Sequence, residues 1–243
     1  MKENIYGVRT ILEAIKAQKS IDKVWIIKNS KNGSIQEMEL KLKKLNISIS
    51  HVPIKWFNKF KSKNHQGVVA SISPIEFDDL ELIIENNLNN SIPPVYLILD
   101  NITDVRNLGA IIRSASATGV TNIILPRNGS APINSDTIKT SSGALFSTSI
   151  SKVNHVKDAL YLMSSNNIQT IAITEKSDKL IFNLNLKTPI ALVLGSEEKG
   201  LSKGIMEMCD SKGRLPMVGE INSLNVSVAC GAVLYEVIRQ RNY

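Results

Sequence analysis

The 243 residues suffice for one large domain or two smaller ones, and an apolar content of 43% with mean hydropathy near zero fits a soluble globular chain. No apolar run exceeds the five residues of Val95–Leu99, far too few to span a bilayer, and two cysteines with three scattered histidines exclude a disulfide framework and a His-built metal site. The net charge of +7 is confined to the start: residues 1–73 hold 14 Lys and Arg against 5 Asp and Glu, and residues 74–243 hold 15 against 17.

A basic module joined to a near-neutral one is expected to dock on a polyanion. The plainer alternative is a solvated lysine-rich surface. The N-terminus opens straight into an amphipathic pattern, so no signal peptide is expected. Val8, Ile11, Leu12 and Ile15 recur at helical spacing over Gly7–Ala17. Val24–Ile27 reads as a strand. Ser34-x-x-Glu37 is a capping-box pattern ahead of Met38, Leu42 and Leu45. Ile47–Val52 alternates like a strand, Ile54–Phe60 reads as a short helix, and His65-Gln66-Gly67 is the turn into a strand at Val68–Ile72. Residues 1–76 therefore read as a small α/β domain. Glu76–Glu85 holds five acidic residues and no basic one, and Pro93-Pro94 closes a polar stretch. Residues 77–93 are expected to link two domains, with one short helix at the start of the linker.

From Val95 onward, strands and helices alternate. Strands are expected at Val95–Leu99, Asn122–Leu125, Ile168–Thr174, Ile190–Leu194 and, briefly, Arg214-Leu215. Helices are expected through Leu108, Ile111, Ile112 and Ala115 up to Gly119, over Ser135–Ser142, Val156–Met163 and Ile205–Met208, and through Val226, Ala229, Val233 and Val237 at the end. Residues 94–243 thus read as a mostly parallel α/β sheet with helices on both faces. Ligands of such sheets bind beyond the carboxyl ends of the strands. Cys209 and Cys230 sit in apolar, helix-like contexts and read as core residues of a cytoplasmic protein.

Three loops carry more polarity than turns require. In Asp100–Ser114, Asn107 reads as a helix N-cap and Arg113 lies two turns in, off the apolar stripe. Taken alone, Arg113 is as well explained as a solvent-exposed charge. In Leu194–Ser202, Gly195 and Gly200 flank Glu197 and allow close backbone approach. In Leu215–Ala229, Ser223, Asn225 and Ser227 stand among apolar residues at a helix start, where a lone Ser-x-Asn reads equally well as a cap. No Gly-x-Gly occurs anywhere, so the Rossmann fingerprint and the P-loop are both absent.

Together the loops resemble the SpoU/TrmH family of RNA ribose 2′-O-methyltransferases. Its first motif matches Asn107-Leu-Gly109-Ala-Ile-Ile-Arg113, its second Leu194-Gly195-Ser-Glu197-Glu-Lys-Gly200-Leu201, and its third Pro216 through Ala229, in the family's order and spacing. The first module, with Tyr6-Gly7 and His65-Gln-Gly-Val-Val-Ala70, is similar to the family's L30e-like substrate-binding domain.

The resemblance implies a SPOUT fold whose parallel sheet ends in a C-terminal trefoil knot, a topology no periodicity would disclose. It implies S-adenosylmethionine as co-substrate, held at Gly195, Leu215, Met217 and Leu224, and no metal. It implies Asn107, Arg113, Glu197, Ser223 and Asn225 as catalytic residues. Arg113 would activate the ribose hydroxyl, or hold the target phosphate and stabilise alkoxide charge, since a guanidinium is hard to deprotonate. The partners implied are RNA, with a guanosine of 23S rRNA as target, and a second copy of the chain. No membrane is implied. For the dimer, Val226, Val233 and Val237, with Tyr235 on another face, offer apolar area that serves equally as intrachain core. A tRNA ribose methyltransferase and a non-catalytic RNA-binding assembly factor are the alternatives.

Overall fold

The structure is a computed structural model and describes residues 4–17, 19–88, 90–196, 198–220 and 222–242. The chain forms two compact units. The first reaches to Glu76 and takes in Ile133–Ser135; the second holds Phe77–Pro132 and the chain from Asp136 onward.

The first unit runs β1 (Asn4–Tyr6), α1 (Val8–Lys16), β2 (Ile21–Ile27), α2 (Gly33–Lys44), β3 (Ser48–Val52), a 3₁₀ helix (Ile54–Phe60) and β4 (Val68–Ile72). Its sheet has the order β1-β4-β2-β3, with β2 and β3 parallel and the other pairs antiparallel. Strand alternation sends Val24, Ile26, Val68 and Ala70 into a core with Val8 and Ile11 of α1 and Ile35, Met38 and Leu42 of α2. Trp25 falls on the opposite face. The expected cap of α2 shifts by two residues: Asn32 accepts the Ser34 amide at 2.9 Å, and Glu37 instead pairs with Lys41 one turn on.

The second unit runs α3 (Leu80–Asn87), β5 (Val95–Leu99), α4 (Val105–Ala117), β6 (Asn122–Pro126), α5 (Ser135–Thr140), β7 (Ile150–Val153), α6 (Val156–Ser165), β8 (Gln169–Ile173), β9 (Ile190–Leu194), α7 (Lys203–Met208), β10 (Ser211–Gly213) and α8 (Val226–Asn242). All strand pairs are parallel, in the order β10-β8-β9-β5-β6-β7. Central strands β5, β6 and β9 are buried along their whole length, as a sheet covered on both faces requires. On one face Tyr96, Ile98, Ala191 and Val193 meet Val156, Ala159, Leu160 and Met163 of α6 and Ile205 of α7. The α4 and α8 helices pack together, with Gly231 facing Ser114.

The segment expected to link the domains carries α3. Asp79 caps it by accepting the Glu81 and Leu82 amides, and Leu80 and Ile84, one turn apart, are buried in the second unit's core. Each such side chain contributes roughly 1.5–3 kcal/mol of burial. The short strand expected at Arg214-Leu215 lies earlier, at Ser211–Gly213, and Arg214 makes only an isolated bridge to Leu180. Val226, Val233 and Val237 are buried within the chain, whereas Tyr235 is exposed. Both cysteines are buried, and burial pushes the Cys230 thiol up to about 12.

Candidate active site

The strand order places a switch point between β5 and β9, since the chain leaves β5 toward β6 and β7, then crosses to β8 on the other side and fills β9 between β8 and β5. Loops diverge there and leave a crevice beyond the strand ends. Two cavities open at this end of the sheet. One, of about 400 Å³, lies past β8, β9 and β10. The other, of about 440 Å³, lies between the loops that follow β5 and β9. Ser196, Glu198, Lys199 and Gly200 of the β9–α7 loop line both cavities, so this loop is their common wall.

That loop is folded back on itself. Gly200 N–H donates to the Ser196 carbonyl at 2.8 Å. Gly195 permits the return: a Cβ there would sit 2.5 Å from Gly200 O and 2.6 Å from Leu201 N. These are backbone atoms and cannot give way, so this position tolerates glycine alone.

Gly195, Leu215, Met217 and Leu224 all line the first cavity. They come from three separate stretches, the end of β9, the segment after β10 and the turn before α8. Leu215, Met217 and Leu224 lie outside the helices and strands, and among the described residues no loop main-chain hydrogen bond occupies their N–H or C=O. Such groups stay unpaired where water or a ligand takes their place. Free amides and carbonyls around apolar side chains suit a flat heterocycle that carries its own donors and acceptors. These residues therefore fit the adenosyl part of S-adenosylmethionine. Ser223 lines the same cavity.

The second cavity holds Asn107. The structure corrects its expected role, because the N-cap of α4 is Asp104, whose carboxylate accepts the Arg106 and Asn107 amides at 2.8 and 2.9 Å. Asn107 lies in the first turn, and its side chain is free to accept 3.0 Å from the Asn225 amide. Asn225 also accepts from the amide and hydroxyl of Ser227, so it caps α8 while it binds Asn107. Gly109 explains the rest of this motif. A Cβ there would overlap Thr140 of α5 and lie 3.2 Å from Ser141 N, so α5 packs directly on the α4 backbone.

Arg113 is exposed, lines neither cavity and makes no hydrogen bond or ion pair among the described residues. Glu197 lies outside the described residues. Sequence reasoning missed Thr174 at the end of β8, Arg214 and Asp100. Ile173, Thr174 and Arg214 line the first cavity, and the rule that ligands bind past strand ends points to the β8 end. Asp100 is 7% exposed, lines the second cavity, and accepts 2.8 Å from Asn101. Burial raises its carboxyl above the usual carboxylate range.

The model of the SpoU rRNA Methylase family matches residues 94–235, and that of the RNA 2′-O ribose methyltransferase substrate-binding domain matches residues 4–78. This chain belongs to the SpoU rRNA methylase family. Among relatives of this SpoU protein, the 23S rRNA (guanosine-2′-O-)-methyltransferase RlmB of Blochmanniella floridana is 35% identical, over 100% of this chain and 97% of its own. The putative TrmH family tRNA/rRNA methyltransferase YacO of Bacillus subtilis is 32% identical, over 98% of this chain and 96% of its own. In fold, the SpoU chain matches the methyltransferase AviRb of Streptomyces viridochromogenes in complex with AdoMet. There the TM-score is 0.62 at 24% identity, over 98% of this chain and 89% of that one.

Proposed function

We propose that this chain transfers a methyl group from S-adenosylmethionine to the ribose 2′-hydroxyl of a guanosine in 23S rRNA. One observation carries the reading. Gly195, Leu215, Met217 and Leu224, from three separate stretches, line a single cavity, and the loop that walls it also walls the cavity of Asn107. When bound, S-adenosylmethionine supplies an electrophilic methyl group on its sulfonium. The chain's own residues then have to hold the ribose in line and manage its proton.

The Asn107–Asn225 pair fixes the wall against which the ribose rests. Ser223 orients the cofactor end, and Glu197, outside the described residues, is assigned to catalysis by its motif position alone. Arg113 supplies positive charge to the target phosphate and to the developing alkoxide. Because Arg113 lines neither cavity of its own chain, it serves the site of a second copy in a homodimer. The exposed Val228 and Tyr235 of α8, 56% and 60% accessible, supply apolar area for that association.

The first unit, with its +8 surplus, presents the RNA. The target is inferred from the RlmB relative, whose match runs through this basic unit as well as the catalytic one. Among the described residues no helix is long and apolar enough to cross a membrane, and a cytoplasmic place of action follows from the ribosomal target. A tRNA target is the second reading, favoured by the YacO relative's double designation.

Incubation with labelled S-adenosylmethionine and separate pools of 23S rRNA and tRNA tests the assignment. Label in 23S rRNA alone is the expected result; label in tRNA alone selects the second reading.

A further inference from the structure

The four-stranded sheet of the first unit buries one face against α1 and α2. On its other face an aromatic cluster does more than fill space. Trp25 of β2 and Trp56 of the 3₁₀ helix stack with ring centroids 5.1 Å apart and planes 27° apart. Both rings are partly exposed. The 3₁₀ helix is anchored by Phe57, which is 1% exposed, so its attachment to the sheet does not depend on Trp56. Phe57 and Phe60 pack against Trp56, with ring centroids 5.2 and 5.4 Å away, and lysines approach both tryptophans. The Lys59 ammonium lies 3.7 Å from the Trp56 ring centroid, and that of Lys23 lies 6.0 Å from Trp25. The surrounding chain has one sign of charge: residues 40–75 contain seven lysines and no acidic residue.

We propose that the Trp25–Trp56 stack and the lysines around it form a platform for single-stranded RNA, on which an unpaired nucleobase stacks while the lysines hold its phosphates. The inference rests on the reading that RNA is the substrate, and it names the surface of the first unit that grips it. Aromatic faces accept any base, and a ring already stacked on a second ring is held flat at no further entropic cost. Lys59 occupies such a face through cation–π attraction in the free protein. An incoming base takes that place, and the displaced ammonium moves onto the adjoining phosphate. Lys55 and Lys61 flank the ring on the same short segment and extend the phosphate track. No acidic residue stands near Trp56 in sequence, and Asp22, three residues before Trp25, is buried, so little opposes the polyanion; this complementarity favours RNA over an acidic protein segment because the rings match bases.

Trp25 and Trp56 are the only tryptophans in the chain, so the selectively excited tryptophan emission of the intact protein reports on this patch alone. A short, mixed-sequence, single-stranded oligoribonucleotide carrying a terminal dye is titrated while its anisotropy and the tryptophan emission are both followed. The expected result is saturable quenching with the same midpoint as the anisotropy change. The triple variant Lys55→Glu/Lys59→Glu/Lys61→Glu changes exposed side chains, and its fold is checked by circular dichroism. It is expected to bind about tenfold more weakly, with a salt slope smaller in magnitude by about 2, from roughly 0.7 per lost phosphate contact. Anisotropy that rises with no change in emission, or full affinity in the folded triple variant, overturns the platform. Methylation of 23S rRNA by the unaltered chain is scored separately. Methyl transfer without quenching leaves the function standing and removes the platform; quenching without methyl transfer does the reverse.

Discussion

The side-chain amide of Asn225 donates a 3.0 Å hydrogen bond to the side-chain oxygen of Asn107, joining positions 118 residues apart. The same Asn225 oxygen accepts the Ser227 amide at 2.9 Å and so starts α8. One residue thus caps a helix with its acceptor and positions a neighbour with its donor.

These two roles separate by substitution. Asn225→Asp keeps the acceptor and loses the donor. It is expected to melt within a few degrees of the unaltered chain while kcat falls by roughly 10²-fold, the scale of losing a positioned hydrogen bond in a reacting site. Asn225→Ala loses both functions and costs a further ~1 kcal/mol of stability through the cap. Thermal melts and single-turnover methyl transfer read the two effects. Unchanged turnover in Asn225→Asp would remove Asn225 from the site.

Arg113 is exposed and unpaired among the described residues, so its removal is expected to leave stability within about 0.5 kcal/mol. Arg113→Ala is nevertheless predicted to abolish methyl transfer with S-adenosylmethionine affinity retained, measured by calorimetry. Mixing it with a variant defective in cofactor binding, such as Leu224→Asp, should restore about a quarter of the activity if two copies share each site, as random pairing in a symmetric dimer gives. No recovery after mixing, with a monomeric mass in sedimentation, contradicts the shared site.

The main chain at Gly195 predicts a sharp intolerance. A Cβ there meets Gly200 O at 2.5 Å and Leu201 N at 2.6 Å. Gly195→Ala must open the β9–α7 loop, at a cost of about 1–3 kcal/mol typical of overpacking. Since the loop walls both cavities, cofactor affinity and methyl transfer should fall together. Isothermal titration with S-adenosylhomocysteine checks this, and unchanged affinity would show that the loop does not hold the cofactor.

Asp100 gives a prediction in pH. Burial raises its folded pKa above the ordinary 3.8. Ionisation is then easier in the unfolded chain, so the buried carboxylate costs stability as pH rises from the unfolded value through the raised folded one. Asp100→Asn is isosteric and does not ionise. Its melting temperature relative to the unaltered chain should climb over that window and level off above it. A difference independent of pH would mean that Asp100 is not desolvated.

Much of the candidate site was legible because its residues are chemically odd where they stand. Ser223 and Asn225 stand among apolar residues, and the second and third loops supply four positions that line one cavity. The central strands Val95–Leu99 and Ile190–Leu194 were equally plain, because burial on both faces demands unbroken apolar runs. Edge strand β7 was not, since Ser151 and Lys152 within Ile150–Val153 break the apolar run expected of a buried strand. The caps misled in a consistent way. Asp104 and Asn32, not Asn107 and Ser34, start their helices, because local sequence offers several short polar candidates and only backbone geometry chooses among them. Thr174 and Arg214 carried no sequence signal of a site. Their place in the cavity follows from the order β10-β8-β9, which is fixed by long-range pairing.

The central claim is ribose methylation of 23S rRNA, and the nucleoside product tests it most directly. After reaction with methyl-labelled S-adenosylmethionine, 23S rRNA is digested to nucleosides and analysed by mass spectrometry. The account predicts label in 2′-O-methylguanosine, absent with Arg113→Ala. Label on a base, or on no nucleoside of 23S rRNA, would contradict it.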